Sequence, residues 1–289
     1  MSREDFLPGT ISPALAEQVE AETYADYQAA ASARARAAAG AWQVRVGGGV
    51  ALAVTTDTTG FWNRVLGLGF AESVSAGLLA WIAEFYRHHG IAAATLALAP
   101  SILPPDWARL CDQLNISPAE ATTVKLACAT GAARAHAAEH PARLDQGLRL
   151  GPVGAGQARE FAEAKSTAFL GRAAPGAYQG QASLGLIGRP GWQSFAVFDG
   201  PAIVATGSLH VVENVGHLFG GATLPGYRGR GAQSALIEAR VAAARAAGCD
   251  WVIAETSVTD NPSLRNMRRA GLRPYYERQH WTWRDGPDA

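Results

Sequence analysis

Apolar residues in the first half of the chain recur with the periods of helices and strands. The Ala-rich stretch 12–39, which has no Gly or Pro after Pro13, predicts one helix or two. Short apolar runs on either side of the glycines at 47–49 predict two strands. The remaining segments alternate: a helix at 74–90 that ends at Gly90, a strand at 92–100, a helix at 104–116 opened by proline, and a strand at 121–130.

The second half repeats this alternation at greater length. After a first strand, residues 158–170 predict a helix, and a loop rich in Gly and Pro follows. The segments beyond that loop are three strands at 194–200, 202–212 and 216–224, a helix at 232–247 that stops at Gly248, a strand at 251–257, a short helix at 262–271 and a final strand at 275–284.

The two halves are similar in the order of their elements. "YRHHGIAAATLALA" and "RAAGCDWVIAETS" each contain a helix end, a glycine and a strand, and a proline then opens the next helix in both halves. Such a repeat predicts a duplicated unit. We therefore expect a mixed α/β (α+β) fold of two similar domains, each a central mixed sheet flanked by helices, at residues 1–135 and 147–289 with a linker at 136–146.

The amino-acid composition limits the classes of function that fit this chain. The 289 residues include 48% hydrophobic and 17% charged residues, enough for packed cores in two domains. The 25 basic and 25 acidic residues cancel, which argues against a nucleic-acid binder. Three widely spaced cysteines predict neither a disulfide framework nor a metal site. The longest apolar run, 91–99, is too short for a membrane span and the N-terminus lacks an apolar signal core, so we expect a soluble, cytoplasmic protein.

The stretch "LPGYRGRGAQSALIEAR", residues 224–240, places two arginines and two glycines where a helix begins. A helix N-terminus carries unpaired N–H groups and partial positive charge, and no acidic residue offsets them in this first turn. Glycines allow backbone N–H groups to approach a ligand closely. The pattern favours a loop that binds an anion such as phosphate. A surface turn with two solvated arginines and an Arg-Gly RNA-binding tract are the other interpretations.

In motif and context this stretch resembles the acyl-CoA signature of the GNAT acyltransferase superfamily, Arg/Gln-x-x-Gly-x-Gly/Ala. The resemblance covers roughly residues 147–285, and the first half looks like a degenerate copy with Glu72 near the corresponding helix start. It implies acetyl-CoA (CoA) as co-substrate and no metal. The residues implied to contact CoA are Ala222, Thr223 and Leu224 at the pantetheine arm, Arg228, Gly229, Arg230, Gly231, Ala232, Gln233 and Ser234 at the pyrophosphate, and Asn261, Ser263 and Asn266 at the thiol end.

Two positions depart from the family's pattern. Gln233 stands where the motif prefers Gly or Ala, and Met267 stands near the place where many members carry a tyrosine proton donor. The resemblance implies transfer of an acyl group, most simply acetyl, to an amine, for which a base of modest strength suffices. The catalytic candidates are Glu255, in the strand expected beside the thioester, His217 and Tyr275. A solvated carboxylate, a structural histidine and a packing tyrosine are the corresponding structural interpretations.

The acceptor is expected to be a small-molecule or peptide amine, bound by a monomer or homodimer without nucleic acid or membrane. Its site is expected in the loops around 173–181 and in the first half, where no motif identifies the amine. A catalytically idle CoA-binding or scaffold protein and an RNA-associated module stay open as alternatives. A bulky residue at Gly231 is expected to abolish CoA binding and leave the fold intact, whereas Arg230→Ala should only raise the Kd.

Overall fold

Residues 11–174, 178–259 and 261–286 are described by the computed structural model, which has a mixed α/β architecture. The elements of the first half are α1 (Pro13–Ala30), α2 (Ala33–Ala39), β1 (Ala41–Val46), β2 (Gly49–Val54), β3 (Arg64–Leu66), α3 (Ala76–His88), β4 (Ala93–Ala97), α4 (Trp107–Leu114) and β5 (Ile116–Ala129). None of the described helices is long and apolar enough to cross a membrane.

The described part of the second half contains one more strand than that of the first. Its elements are α5 (Thr130–Glu139), β6 (Leu148–Pro152), α6 (Ala158–Leu170), α7 (Tyr178–Gly185), β7 (Trp192–Asp199), β8 (Ala202–Val212), β9 (Val215–Thr223), α8 (Ala232–Ala246), β10 (Trp251–Ser257), α9 (Pro262–Arg269) and β11 (Arg273–Arg284).

Three described elements differ from the sequence predictions. The strand β3 has only three residues, too few for a periodic pattern. The helix α7 lies in a segment that was predicted to be a loop. The prediction rested on its Gly and Ser residues, which are typical of loops. The predicted linker 136–146 begins inside α5, since the alanines of that segment favour a helix despite its weak amphipathic pattern.

All described strands join one mixed sheet in the order β1-β2-β3-β4-β11-β5-β10-β9-β8-β7-β6. The last strand of each half lies in the sheet of the other half. β11 pairs with both β4 and β5, and β5 pairs with both β11 and β10. The halves are therefore joined by an exchange of their final strands, a feature that the sequence repeat does not predict.

Helices cover both faces of this sheet. Alternate residues of a strand point to opposite faces, so each strand supplies two cores. In β2, Ala51 and Ala53 pack with α3 and α4, whereas Val50, Leu52 and Val54 pack with α1, α2 and α7. In the second half, α8 and α9 lie on the α3 side and α6 lies on the α1 side.

Helix α1 crosses from the first half to the second. Its residues Ala16 and Val19 pack against Val215 of β9 and Ile253 of β10. Polar residues of α1 that face the sheet, such as Glu20 and Thr23, are therefore placed over strands of the second half. This arrangement brings the first half into the site described next.

Candidate active site

A cleft opens where β9 and β10 separate. The two parallel strands pair only where Trp251–Ile253 lie opposite Val215–His217. Beyond that point, β9 remains paired with β8 and β10 remains paired with β5. The resulting gap forms a cleft of about 1350 Å³ whose lining includes both strands and the N-terminal ends of α8 and α9. Backbone groups on the β10 side of β9 thus have no partner strand and are available to a ligand.

Helix α8 begins at this cleft without a capping side chain. Its N-cap is Gly231, which lies in the left-handed conformation at φ +78°, and its first turn contains no acidic residue. The unpaired N–H groups and partial positive charge of the first turn are therefore directed to the cleft. The exposed Arg228 adds a full positive charge at the same end.

Most of the predicted CoA-contacting residues line the cleft. Leu224 and Arg230 do not. Leu224 packs beside the core formed by β7, β8 and α8, and Arg230 turns toward the connection between the halves. Those that line it are Ala222, Thr223, Arg228, Gly229, Gly231, Ala232, Gln233, Ser234, Asn261, Ser263 and Asn266.

The segment that connects the two halves packs against the arginine-glycine loop. Asp145 accepts a hydrogen bond from Arg230 Nε at 2.9 Å, so this arginine has an acidic partner of its own. A Cβ at Gly231 would lie 1.9 Å from the carbonyl oxygen of Arg143. The expectation that a bulky residue at Gly231 leaves the fold intact is therefore wrong, because such a residue would collide with the chain's own backbone. Arg143 itself lines the cleft and was not predicted from the sequence.

Two side chains of α8 hold β9 in place. Gln233 Nε2 donates to Thr223 Oγ1 at 3.0 Å, so its amide bonds the strand next to the predicted pyrophosphate site. Arg240 is buried and donates from Nη1 to the carbonyls of Ser208 and Phe219, both at 3.4 Å, where the pairing of β8 and β9 is irregular. Burial lowers the pKa of Arg240 to about 10.

Helix α9 begins on the opposite side of the cleft. The Asn261 side chain accepts a hydrogen bond from Leu264 N at 2.9 Å and donates to the carbonyls of Ser257 and Thr259. Asn261 therefore acts as the N-cap of α9 and fixes the loop after β10. Met267, near the place where many family members carry a tyrosine, is buried although it reaches the cleft wall.

A buried ionic cluster lies beneath the cleft on the α1 side of the sheet. It consists of Glu17 and Glu20 of α1, Lys125 of β5, Glu255 of β10 and Arg278 of β11. Lys125 Nζ is 2.5 Å from the Glu20 carboxylate, and Arg278 bonds all three carboxylates. Three carboxylates against two cations leave one excess negative charge when all are ionised.

Within this cluster, the pKa values of Glu255 and Glu20 are shifted in opposite directions. Its side chain is 13% exposed and lines the cleft. Burial raises the pKa of Glu255, repulsion from Glu20 and Glu17 raises it further, and Arg278 and Lys125 oppose this. Glu20 is also buried, but Arg278 and Lys125 hold its pKa well below the ordinary value. A carboxylate with a raised pKa at a cleft wall can accept a proton from a bound ligand.

The other two catalytic candidates differ in placement. His217 lines the cleft but is buried, which lowers its pKa to about 3, and its Nδ1 has no hydrogen-bond partner among the described residues. It is therefore a neutral imidazole and a weak base. Tyr275 is not part of the cleft lining, because its hydroxyl donates to the carbonyl of Ile11 and its ring packs beside α1.

The end of the cleft beneath α1 is aromatic. Tyr27 stacks on Trp62 with ring centroids 5.0 Å apart, and Phe219 lies 5.0 Å from Tyr27 and 5.3 Å from Tyr24. Lys165 of α6 reaches the same end. Residues 175–177 of the predicted acceptor loop lie outside the described residues. The sequence had offered one signal for Lys165, a lysine on the otherwise small and apolar face of α6.

Comparisons with known proteins agree with this geometry. Residues 159–272 match the family model described as "Acetyltransferase (GNAT) family". No curated protein matches the chain significantly. A GCN5-related N-acetyltransferase from Kribbella flavida is similar in structure, with a TM-score of 0.61 and 15% identity over 96% of this chain and 98% of that one.

Two further solved structures have the same fold. A tandem GNAT protein from the clavulanic acid biosynthesis pathway gives a TM-score of 0.62, with 17% identity over 86% of this chain and 83% of that one. A GCN5-related N-acetyltransferase from Sphaerobacter thermophilus gives 0.54, with 20% identity over 74% and 70%. The fold is therefore that of tandem GNAT proteins. The segment that matches the GNAT family model lies within the second half of the chain.

Proposed function

We propose that the protein is an acyl-CoA-dependent N-acyltransferase, which transfers an acetyl group from acetyl-CoA to a primary amine by direct attack. The observation that carries this proposal is the uncapped N-terminus of α8, which faces the gap between β9 and β10. A helix N-terminus without an acidic partner is a site for phosphate groups. A strand edge without a partner strand can pair with an amide-containing chain such as pantetheine.

The fit of CoA to this site follows from the described side chains. The first-turn N–H groups of α8 and the guanidinium of Arg228 would hold the pyrophosphate. The free edge of β9 at Ala222 and Thr223 would hold the pantetheine amides, and Asn261 would stand near the thiol end. Arg230 is assigned a different task, the bond to Asp145 that fixes the connecting segment on the loop.

Glu255 would prepare the amine for attack. Acetyl-CoA, when bound, supplies an activated acetyl thioester. An amine reacts only in its neutral form, and Glu255 at the cleft wall would accept the proton that the ammonium loses. The aromatic rings of Tyr24, Tyr27 and Phe219 would exclude water from the acceptor and favour its cationic form on arrival.

Acetyl-CoA binding is the first test. At a hundred times its Kd, acetyl-CoA should stabilise the protein by about 2.7 kcal/mol, seen as a rise in the melting temperature. Pantetheine, which lacks the pyrophosphate, serves as the matched control and should produce a much smaller rise. No rise at saturating acetyl-CoA would contradict the proposal.

Turnover separates the enzyme from its alternative. Two observations favour a catalytically idle CoA-binding protein. Met267 stands near the place where many family members carry a tyrosine, and Tyr275 is not part of the cleft lining. Release of free CoA thiol from acetyl-CoA in the presence of a panel of small amines and peptides decides between them. Stabilisation without amine-dependent thiol release from any of them would favour the idle protein.

A further inference from the structure

Lys165 is a buried lysine without a charged partner in the part of the chain that the structure describes. It lies on the sheet-facing side of α6 with 6% of its surface exposed, and its Nζ has no hydrogen-bond partner among the described residues. The chain's one other lysine, Lys125, is also buried but contacts three carboxylates. An unpaired buried ammonium is costly, so the absence of a partner for Lys165 requires a reason.

The surroundings of Lys165 place it at the aromatic end of the cleft beneath α1. Its Nζ lies 4.8 Å from the ring centroid of Tyr27 and 5.0 Å from that of Phe219, and both rings line the cleft. A Cβ at Gly220 would lie 2.8 Å from the same Nζ. Gly220 belongs to the part of β9 that has separated from β10. The Lys165 amine therefore lies beside the part of β9 that lines the cleft.

Two opposing effects act on the charge of this side chain. Burial lowers the pKa of Lys165 to about 7. The electron-rich faces of the two rings favour the charged form. A carboxylate brought next to Nζ would stabilise the ammonium strongly, since it would replace the missing partner in a site of low polarity.

We propose that Lys165 binds a carboxylate of the substrate pair, so that either the acceptor amine or the acyl group carries an acid group. This inference rests on the proposed acyl-CoA-dependent reaction. In the ternary complex, Lys165 would then bind a carboxylate of one ligand, and Glu255 would lie at the ammonium of the acceptor. The surrounding rings of Tyr24, Tyr27 and Phe219 suit an apolar or aromatic body between those charges.

The presence of only two lysines makes a direct test possible. Lysine labelled with ¹³C at Cε gives two signals in an NMR spectrum of the full chain, and Lys165→Met assigns them. The pKa of Lys165 is then read from a titration between about pH 5 and about pH 9, a range in which Lys125 should keep its charge. Lys125, in its ionic cluster, serves as the internal control.

Two matched ligand pairs distinguish the source of the carboxylate. The acyl arm compares S-carboxymethyl-CoA with S-carbamoylmethyl-CoA, two stable thioethers that differ in one charge. The acceptor arm compares L-phenylalanine with phenylalaninamide in the presence of CoA. In one arm the acid should raise the pKa of Lys165 by about 1 unit or more while its amide does not. A Lys165 titration that is the same with acid and amide in both arms would overturn the inference.

Turnover gives a second readout. If the acceptor carries the carboxylate, Lys165→Met should reduce the preference in kcat/KM for phenylalanine over its amide, roughly tenfold in the parent, to near one, and Lys165→Arg should restore part of it. An unchanged preference in Lys165→Met, with the parent's melting temperature, would contradict a role in acceptor binding. Failure of CoA to stabilise the parent would instead refute the proposed function, whereas stabilisation by CoA with a Lys165 titration that does not distinguish acid from amide would refute the role of Lys165 alone.

Discussion

At the scale of single residues, Gly229 and Gly231 have nearly the same backbone but different surroundings. Their φ angles are +76° and +78°. A Cβ at Gly229 would meet no atom within 4 Å, whereas one at Gly231 would lie 1.9 Å from the carbonyl oxygen of Arg143. Gly229→Ala should therefore cost only the strain of a positive φ, about 1 kcal/mol, and Gly231→Ala about 1–3 kcal/mol more.

Chemical denaturation of the two variants and the parent measures this difference. The shared φ strain cancels between them, so the excess loss in Gly231→Ala reports the contact with residues 143–145. Equal losses would show that the connecting segment does not rest on Gly231 in solution.

Glu255 allows a prediction about pH. Its raised pKa means that the rate should increase as the pH rises through that value, because only the carboxylate accepts the proton of the amine. Glu255→Gln should lower kcat by about 100-fold or more and remove this limb of the pH profile. Rates are measured as thiol release at saturating acetyl-CoA.

Glu17→Gln is the matched control, since Glu17 belongs to the same cluster but does not line the cleft. It should leave the pH limb in place even if it lowers stability. Loss of the limb in both variants would indicate that the cluster as a whole, not Glu255, governs the reaction.

At the scale of elements, the two halves differ where CoA would bind. In α3, the N-cap Ser75 accepts a hydrogen bond from Leu78 N, so part of the N-terminus is satisfied from within the chain. The nearby loop is filled, since a Cβ at Gly69 would lie 2.7 Å from Ile102. We predict one CoA per chain, measured by calorimetric titration. Binding of two CoA molecules per chain would contradict this prediction. Loss of CoA binding in Arg228→Ala would place the one site at α8.

Local sequence patterns predicted most of the helices and strands. Hydrophobic periodicity, and the Gly and Pro residues that end an element, are properties of neighbouring residues. The bounds of α6, β8 and β10 agree with the predictions from apolar periodicity. The arginine-glycine loop was predictable because its residues are consecutive. The ionic cluster was not, since Glu20 and Arg278 are 258 positions apart and nothing local relates them. The exchange of β5 and β11 could not be predicted from the sequence for the same reason.

At the scale of the whole molecule, three buried histidines predict sensitivity to acid. Burial lowers the pKa of His210 to about 4 and those of His217 and His280 to about 3. The unfolded chain takes up these protons near pH 6.5, so the free energy of unfolding should fall as the pH drops below that value, by about 1.4 kcal/mol per pH unit for each histidine. Glu255, with its raised pKa, opposes this as a single group against three.

Melting temperatures measured from pH 7 to about pH 5 test this slope. His210→Gln should reduce the slope, whereas substitution of His88, which is exposed, should not. A melting temperature that stays constant over this range would show that the three rings are accessible to protons in the folded state.

The exchange of β5 and β11 also has a consequence for synthesis on the ribosome. β5 emerges before either of its neighbours in the sheet, and β4 receives β11 only when the last residues have been translated. During that interval the nascent chain exposes strand edges that could pair with other chains. The ionic cluster discourages such pairing, because a foreign strand in place of β11 would not supply Arg278, which bonds the buried carboxylates of Glu17 and Glu20. The ionic cluster beneath the cleft thus also restricts which strand can complete the sheet.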